Sequence, residues 1–430
     1  MAPLYFEKPV DTPSSEFMNF DILKTSFHQT LTACLPHALG TNLRTSTDGD
    51  LAAPLLVTVN SAAPRLPVVT RHKDSECTIA LMRASGFMPH VQPKALLERT
   101  APLTRNPMGG DPLATLDVVY MSDGVGVLLV LSHAVVDMAA YCRFCIEWGL
   151  ATGAMRGKGA VAGVVRAMDT DRSRFWAQVS AHTPAADPSP FEKHLEEFRK
   201  TNYQLQAEEA GDNTTVAFRL SADVAGMARL AQTRDAECAG ISVPNFVSAL
   251  LWRIVARASS SAAEFAWFSA SLTIRSQRQF ADYWGNTATA KYIHAQTKAV
   301  AQGDLRLTAG LVQSCVRDFG VAEFARIVGL YAGSDGGAFL RNVSELIGTP
   351  RVARLSVANI SRIPFYSVDF GHGGPVKVQY QTVRIPGLCF VMPQSADGGM
   401  EVLVCLSEAA GRALINDETI QSHFIVETVG

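Results

Sequence analysis

His133 and Asp137 stand four residues apart just behind the apolar run Val125 to Leu131, and an Asp369-Phe370-Gly371 turn follows far downstream. A polar residue delivered at the carboxyl end of a strand, immediately before a helix, is offered to a cleft. Free imidazole titrates near pH ~6.5, which makes it the side chain suited to take a proton from a hydroxyl or amine at neutral pH. A positioned base contributes about 10² to 10⁴ in rate, the rest coming from orientation and from donors aimed at developing charge. His133 is therefore the first candidate base, against the plain alternative of a surface or structural histidine. Asp137 either relays charge to it directly or anchors the loop that carries it.

The elements that must position this pair are legible in the pattern around it. Thr115 to Met121 and Val125 to Leu131 are two apolar runs joined by Ser122-Asp123-Gly124, a hairpin signal because Asp-Gly tolerates positive φ. Asp137 to Leu150 then reads as a helix turning Met138, Tyr141, Phe144, Cys145 and Trp148 inward. Upstream, Phe20, Leu23, Phe27, Leu31 and Cys34 recur at helical spacing until Pro36 stops them. Short strands are expected at Pro54 to Val59 and Leu66 to Thr70, and loop from Pro89 to Pro112. Glycine, alanine and basic residues from Gly153 to Ala167, and three prolines from Thr183 to Pro190, mark a crossover, with a domain boundary expected near residue 185. The second half restarts with a strand at Thr214 to Leu220 and helices at Ala222 to Gln232 and Val243 to Ala258. Strands follow at Phe265 to Ile274, Arg354 to Asn359, Val376 to Thr382, Leu388 to Met392 and Met400 to Cys405. Alternation of strands and helices in both halves predicts an α/β protein of two subdomains, residues 1–185 and 186–430.

Composition narrows the chemistry. With 430 residues, 47% of them hydrophobic and 18% charged, the chain can bury a large core. Thirty-eight basic against 40 acidic residues leave a formal charge of -2, so no global field attracts nucleic acid. No apolar run reaches the roughly 18 residues of a spanning helix, and Met1 to Asp11 lacks a basic and apolar leader; a cytoplasmic protein is expected. The eight cysteines are scattered through apolar stretches and read as buried thiols, Cys142 and Cys145 forming one CxxC without a second ligand pair. No metal site is expected. Glycosylation acceptors at Asn213, Asn342 and Asn359 carry no meaning without secretion. Gly153 to Gly159 falls short of a phosphate loop, and Gly333 to Gly337 reads as a surface turn. Lys291, Lys298, Arg306 and Arg317 read as solvated charges that could also meet a coenzyme's phosphates.

The segment Leu116 to Leu150, with its hairpin, Ser132-His133-Ala134-Val135-Val136-Asp137 and following helix, resembles the HxxxDG region of BAHD-type acyl-CoA-dependent acyltransferases. The resemblance spans almost the whole chain. Asp169-Thr170-Asp171-Arg172-Ser173 is similar to that family's DRS element, and Val243 to Arg257 looks like its core helix ending in Trp-Arg. Ser271 to Ser276 is similar to the strand supplying its arginine, with Gly285-Asn286 after it, and Asp369-Phe370-Gly371-His372-Gly373 matches its DFGWG turn, followed by Pro375.

The resemblance implies two chloramphenicol-acetyltransferase-like subdomains, each a mixed sheet flanked by helices, with His133 in a tunnel at their interface and the Asp-Phe-Gly turn in the second. It implies transfer of an acyl group from acyl-CoA, used as a co-substrate and not as a resident cofactor, to a hydroxyl or less often an amine of a specialised metabolite. It further implies a monomer, with small-molecule acceptor and acyl-CoA as its partners, and no acyl-enzyme. Asp137 would turn from the substrate and pair with Arg275, while Asp369 and Gly371 shape the turn at the site. The leaning is toward fungal members similar to trichothecene acetyltransferases.

Three positions depart from the family pattern. Met138 replaces a glycine, which is harmless only if that position is helical. His372 replaces the tryptophan of the turn and is either a loop residue or a substrate or coenzyme contact. Counting back from Asp369, Ala358, Asn359 and Ile360 stand where plant members often carry a hydroxyl residue and a tryptophan. Of these only Asn359 can donate a hydrogen bond from its side chain, giving it an oxyanion or acceptor role unless it merely ends a strand. These departures keep a rival open: the same fold with His133 as base for cyclisation or carbon-carbon bond formation, without acyl-CoA. A condensation domain fed by a carrier protein is a second rival, and a catalytically inactive binding protein is a third.

Overall fold

The computed structural model describes residues 3–44, 55–58, 66–97, 112–133, 135–157, 168–182, 215–259, 264–332, 353–380, 385–395 and 397–429, which fall into two compact units. The first unit comprises Met1–Ser173, Arg278–Thr287 and Ile363–Gln381; the second comprises Arg174–Gln277, Ala288–Arg362 and Thr382–Gly430. The boundary expected near residue 185 lies outside the described residues, as do 158–167, 183–214 and 333–352 with the crossover segments, glycine-rich turn and two of the acceptor sites assigned to them.

A simple division into halves does not hold, because the first unit takes back two distant segments. Its five-stranded sheet runs, in spatial order, Lys377–Val378, Leu4–Glu7, Gly124–Leu131, Ala114–Tyr120 and Val68–Lys73. The pairings are antiparallel except the last, Val68–Lys73 beside Ala114–Tyr120, which is parallel. Lys377–Val378 thus closes one edge of the sheet built by the amino-terminal part, and the Asp-Phe-Gly turn belongs to the first unit, not the second.

The two long helices of this unit begin at side-chain caps. Asn19 accepts from the backbone of Asp21 and Ile22 and so caps the helix Phe20–Cys34, which buries Leu23, Phe27, Leu31 and Cys34 at three- and four-residue spacing. Asp137 caps the helix Met138–Met155 by accepting from Ala140 N at 2.9 Å. The two helices meet through Trp148, whose indole nitrogen donates to Leu23 O and Ser26 Oγ while its ring stands edge-on to Phe27 at 5.4 Å.

The predicted hairpin forms, with Met121 N donating to Gly124 O, but its glycine is there for a different reason than expected. Gly124 does not have a positive φ; a Cβ at this position would strike the Phe6 carbonyl at 2.5 Å and the side chain of Ile79. Asp123 caps the neighbouring helix Ile79–Ala84 through the backbone of Ile79 and Ala80.

The second unit has a seven-stranded sheet in the order Ile425–Thr428, Thr215–Ala222, Met400–Ser407, Leu388–Val391, Arg354–Asn359, Phe265–Thr273 and Ala288–Gln296. The three strands from Leu388–Val391 to Phe265–Thr273 run parallel, and the remaining pairings are antiparallel. Helix Val243–Ala258, capped by Ser242, buries Phe246, Leu250, Leu251, Trp252 and Ile254 into a core shared with Phe268, Leu355, Val402 and Val404. Both units are therefore mixed sheets with helices, as expected. Among the described residues no single helix is long and apolar enough to cross a membrane.

Candidate active site

The strand Gly124–Leu131 ends one residue before Ser132, whose backbone N donates to Leu113 O at 2.8 Å. Val135 and Val136 then donate back to Ser132 O, making a tight turn that carries His133 outward before the helix begins. The imidazole is exposed. Its partner is Asn286, whose side-chain nitrogen donates to the His133 carbonyl at 2.6 Å and lies 3.0 Å from His133 Nδ1.

Asp137 faces the other way. It is almost fully buried; Oδ1 caps the following helix, and Oδ2 accepts from both the backbone N and the Oγ1 of the buried Thr287, at 3.0 and 2.9 Å. Asn286 N also donates to Val135 O at 3.1 Å. Two consecutive residues, Asn286 and Thr287, thus hold His133, Val135 and Asp137. The arrangement is that of an anchor, since Nδ1 of His133 meets Asn286 and Oδ2 of Asp137 meets Thr287.

The clamp is itself tied down within the first unit. Trp284 N donates to Asp169 O at 2.6 Å, and Tyr283 forms a β-bridge with Asp169. The Arg143 guanidinium lies 5.7 Å from the Trp284 ring centre and pairs with buried Glu147 one helical turn on. Asp169 also accepts from Asp171 N, and Asp171 from Ser173 N, so the Asp-Arg-Ser element is the fixed point for the returning segment Arg278–Thr287.

Met138, in place of the expected glycine, starts the helix with ordinary geometry: among the described residues only Met18 and Phe87 have positive φ without being glycine. No glycine is required there. In the Asp-Phe-Gly turn, Asp369 Oδ1 accepts from the backbone of Gly371, His372 and Gly373 at 2.7 to 2.9 Å, while Gly371 adopts φ +87°. Phe370 is fully buried against Trp148 and Phe6. His372 accepts from Met18 N at 3.1 Å, contacts Arg156 and stands edge-on to Phe17, so it fastens the chain leading into the first helix.

Two expected site residues lie in the second unit. Asn359 ends the strand Arg354–Asn359 and turns its Oδ1 to Ser361 N and Oγ, an Asx turn that leaves the amide nitrogen as its donor. Arg275 sits in a short 3-10 turn, its backbone N bonded to Thr273 Oγ1. Burial pushes the Cys142 thiol up to about 12 and Cys145 well above its ordinary range, so neither is a thiolate at neutral pH. Among the described residues no group of three histidines, cysteines or carboxylates could hold a metal.

Sequence reasoning gave no role to Thr287. Its signal was adjacency to Gly285-Asn286, but a threonine after an asparagine has no motif of its own.

A model of the Transferase family matches residues 86–419, which is most of the chain. The chain belongs to the Transferase family. This is the BAHD-type family that its motifs resemble. Its fold is similar to that of F. sporotrichioides TRI101 complexed with coenzyme A and T-2, at 16% identity and a TM-score of 0.74, covering 100% of this chain and 96% of the other. F. graminearum TRI101 complexed with coenzyme A and deoxynivalenol is similar to the same extent, 16% identical with a TM-score of 0.74 and the same coverage. Vinorine synthase is similar at 17% identity and a TM-score of 0.63, covering 98% of this Transferase-family chain and 89% of its own. No curated relative matches the sequence.

Proposed function

We propose that this protein transfers an acyl group from acyl-CoA to a hydroxyl, or less often an amine, of a specialised small molecule, with His133 as general base. The observation that carries the reading is an exposed imidazole at a strand end, held by a clamp of Asn286, Thr287 and buried Asp137, in a chain of the Transferase family. Coenzyme A and a second small molecule stand together in the TRI101 structures, which supports a two-substrate reaction. Acyl-CoA is a co-substrate here.

His133 takes the proton of the acceptor hydroxyl as its oxygen bonds to the thioester carbon. A tetrahedral oxyanion forms and collapses, the carbon–sulfur bond breaks, and the thiolate of coenzyme A takes a proton from the imidazolium. Asn359 is the candidate donor toward the oxyanion. Asp137 holds the turn through its bonds to Ala140 and Thr287. The eight cysteines are all free, which supports a reducing, cytoplasmic setting, and the enzyme is proposed to act as a monomer.

Incubation with acetyl-CoA and a panel of alcohols, with free thiol as the readout, tests the reading. Thiol release that depends on the alcohol and falls about 10²-fold or more in His133→Ala is expected. A product formed with no thiol release would move the protein to the cyclisation rival.

A further inference from the structure

The side-chain nitrogen of Asn286 lies 2.6 Å from the backbone oxygen of His133 and 3.0 Å from Nδ1 of the same residue. The two ends of an amide are similar in size, so partners decide which end points where. Here the carbonyl decides. An amide oxygen in that place would press its lone pairs against those of the His133 carbonyl, whereas an NH₂ group has one hydrogen for each acceptor. Asn286 therefore donates twice, and Nδ1 of His133 is an acceptor. A neutral imidazole has a single N–H, so its proton then sits on Nε2.

We infer that Asn286 is a positioning residue that holds His133 in the Nε2–H tautomer in the free protein. The amide can impose this because its own backbone is held by Val135 O and its neighbour Thr287 is bonded twice to Asp137, so the donor is presented from a fixed base. Nε2 is then a donor and not a base. For the acyl transfer proposed above, which this inference deepens and on which only its consequence rests, the ring must give its Nε2 proton to solvent and gain one at Nδ1. Asn286 must draw its nitrogen back at the same moment, because two N–H groups cannot face each other. A ring resting in this form does not activate water.

The test is nitrogen NMR of protein labelled with ¹⁵N histidine, held at about pH 8.5, above the ordinary imidazole value, with His133 assigned by the signal lost in His133→Gln. The expected result is an unprotonated Nδ1 and a protonated Nε2 in the wild-type protein, and a shift toward mixed tautomers in Asn286→Ala. A wild-type spectrum with the proton on Nδ1 overturns the inference, and so does an Asn286→Ala spectrum with an unchanged tautomer balance. The wild-type spectrum decides even if the variant does not fold. Because the readout needs no turnover, absence of thiol release would sink the acyl-transfer reading and leave this result standing.

Discussion

Thr287 donates from both backbone and side chain to one oxygen of a carboxylate that is 4% exposed, while the other oxygen caps a helix. Burying a carboxylate costs free energy unless its lone pairs are occupied, so each donor matters beyond its own bond. Thr287→Val keeps the volume but removes the Oγ1 donor. It is expected to lower unfolding free energy by about 1 to 3 kcal/mol, read from urea titrations. Asp137→Ala should cost at least the ~0.5 to 2 kcal/mol of a lost cap, and the double variant should cost less than the sum of the two, because both single changes break one network. Additive losses would show that the two residues act apart.

At the scale of elements, the helix Met138–Met155 meets the Asp-Phe-Gly turn at a glycine. A Cβ on Gly149 would lie 2.5 Å from the Asp369 carbonyl oxygen, whose own side chain organises the turn through three backbone donors. Gly149→Ala is expected to destabilise by about 1 to 3 kcal/mol, because backbone cannot move aside as a flexible side chain would. Gly310 provides the contrast, since a Cβ there meets nothing within 4 Å in the helix Leu305–Arg317. Gly310→Ala should stabilise by roughly 0.5 to 1 kcal/mol. Thermal unfolding of the two variants, moving in opposite directions, checks both.

At the scale of the whole molecule, the first unit is not the first half of the chain. A fragment of residues 1–185 lacks the edge strand Lys377–Val378, the clamp residues Asn286 and Thr287, and Phe370, which packs 4.5 Å from Trp148. Its expected behaviour is an unfolded or aggregating chain, without the dispersed amide spectrum of a packed domain. Alkaline pH probes both units together. Burial pushes Cys142 in the first and Cys389 in the second from 9.0 to about 12. Both thiols are neutral in either state below 9.0, so stability is intact there. As pH climbs from 9.0 toward about 12, only the unfolded chain ionises, and stability falls by up to ~1.4 kcal/mol per pH unit for each thiol. A urea midpoint unchanged between about pH 7.5 and about pH 10 would contradict this.

The hairpin and helix around His133 and the Asp-Phe-Gly turn were determined by sequence alone, because local patterns encode local structure: two apolar runs joined by Ser122-Asp123-Gly124, apolar residues at helical spacing from Met138 to Trp148, and glycines in a turn. Arg354–Asn359 and Val243–Ala258 were placed for the same reason. The polar strand Ala288–Gln296 was not, since only pairing with Phe265–Thr273 makes it a strand. Only tertiary structure decided that the turn at Asp369 joins the first unit, that Gly124 serves a close approach, and that Asn286 and Thr287 hold the loop of His133. The contacts of Asn286 and Thr287 join residues 153 and 150 positions apart in the chain, and no short-range pattern records which side chains a folded backbone will bring together.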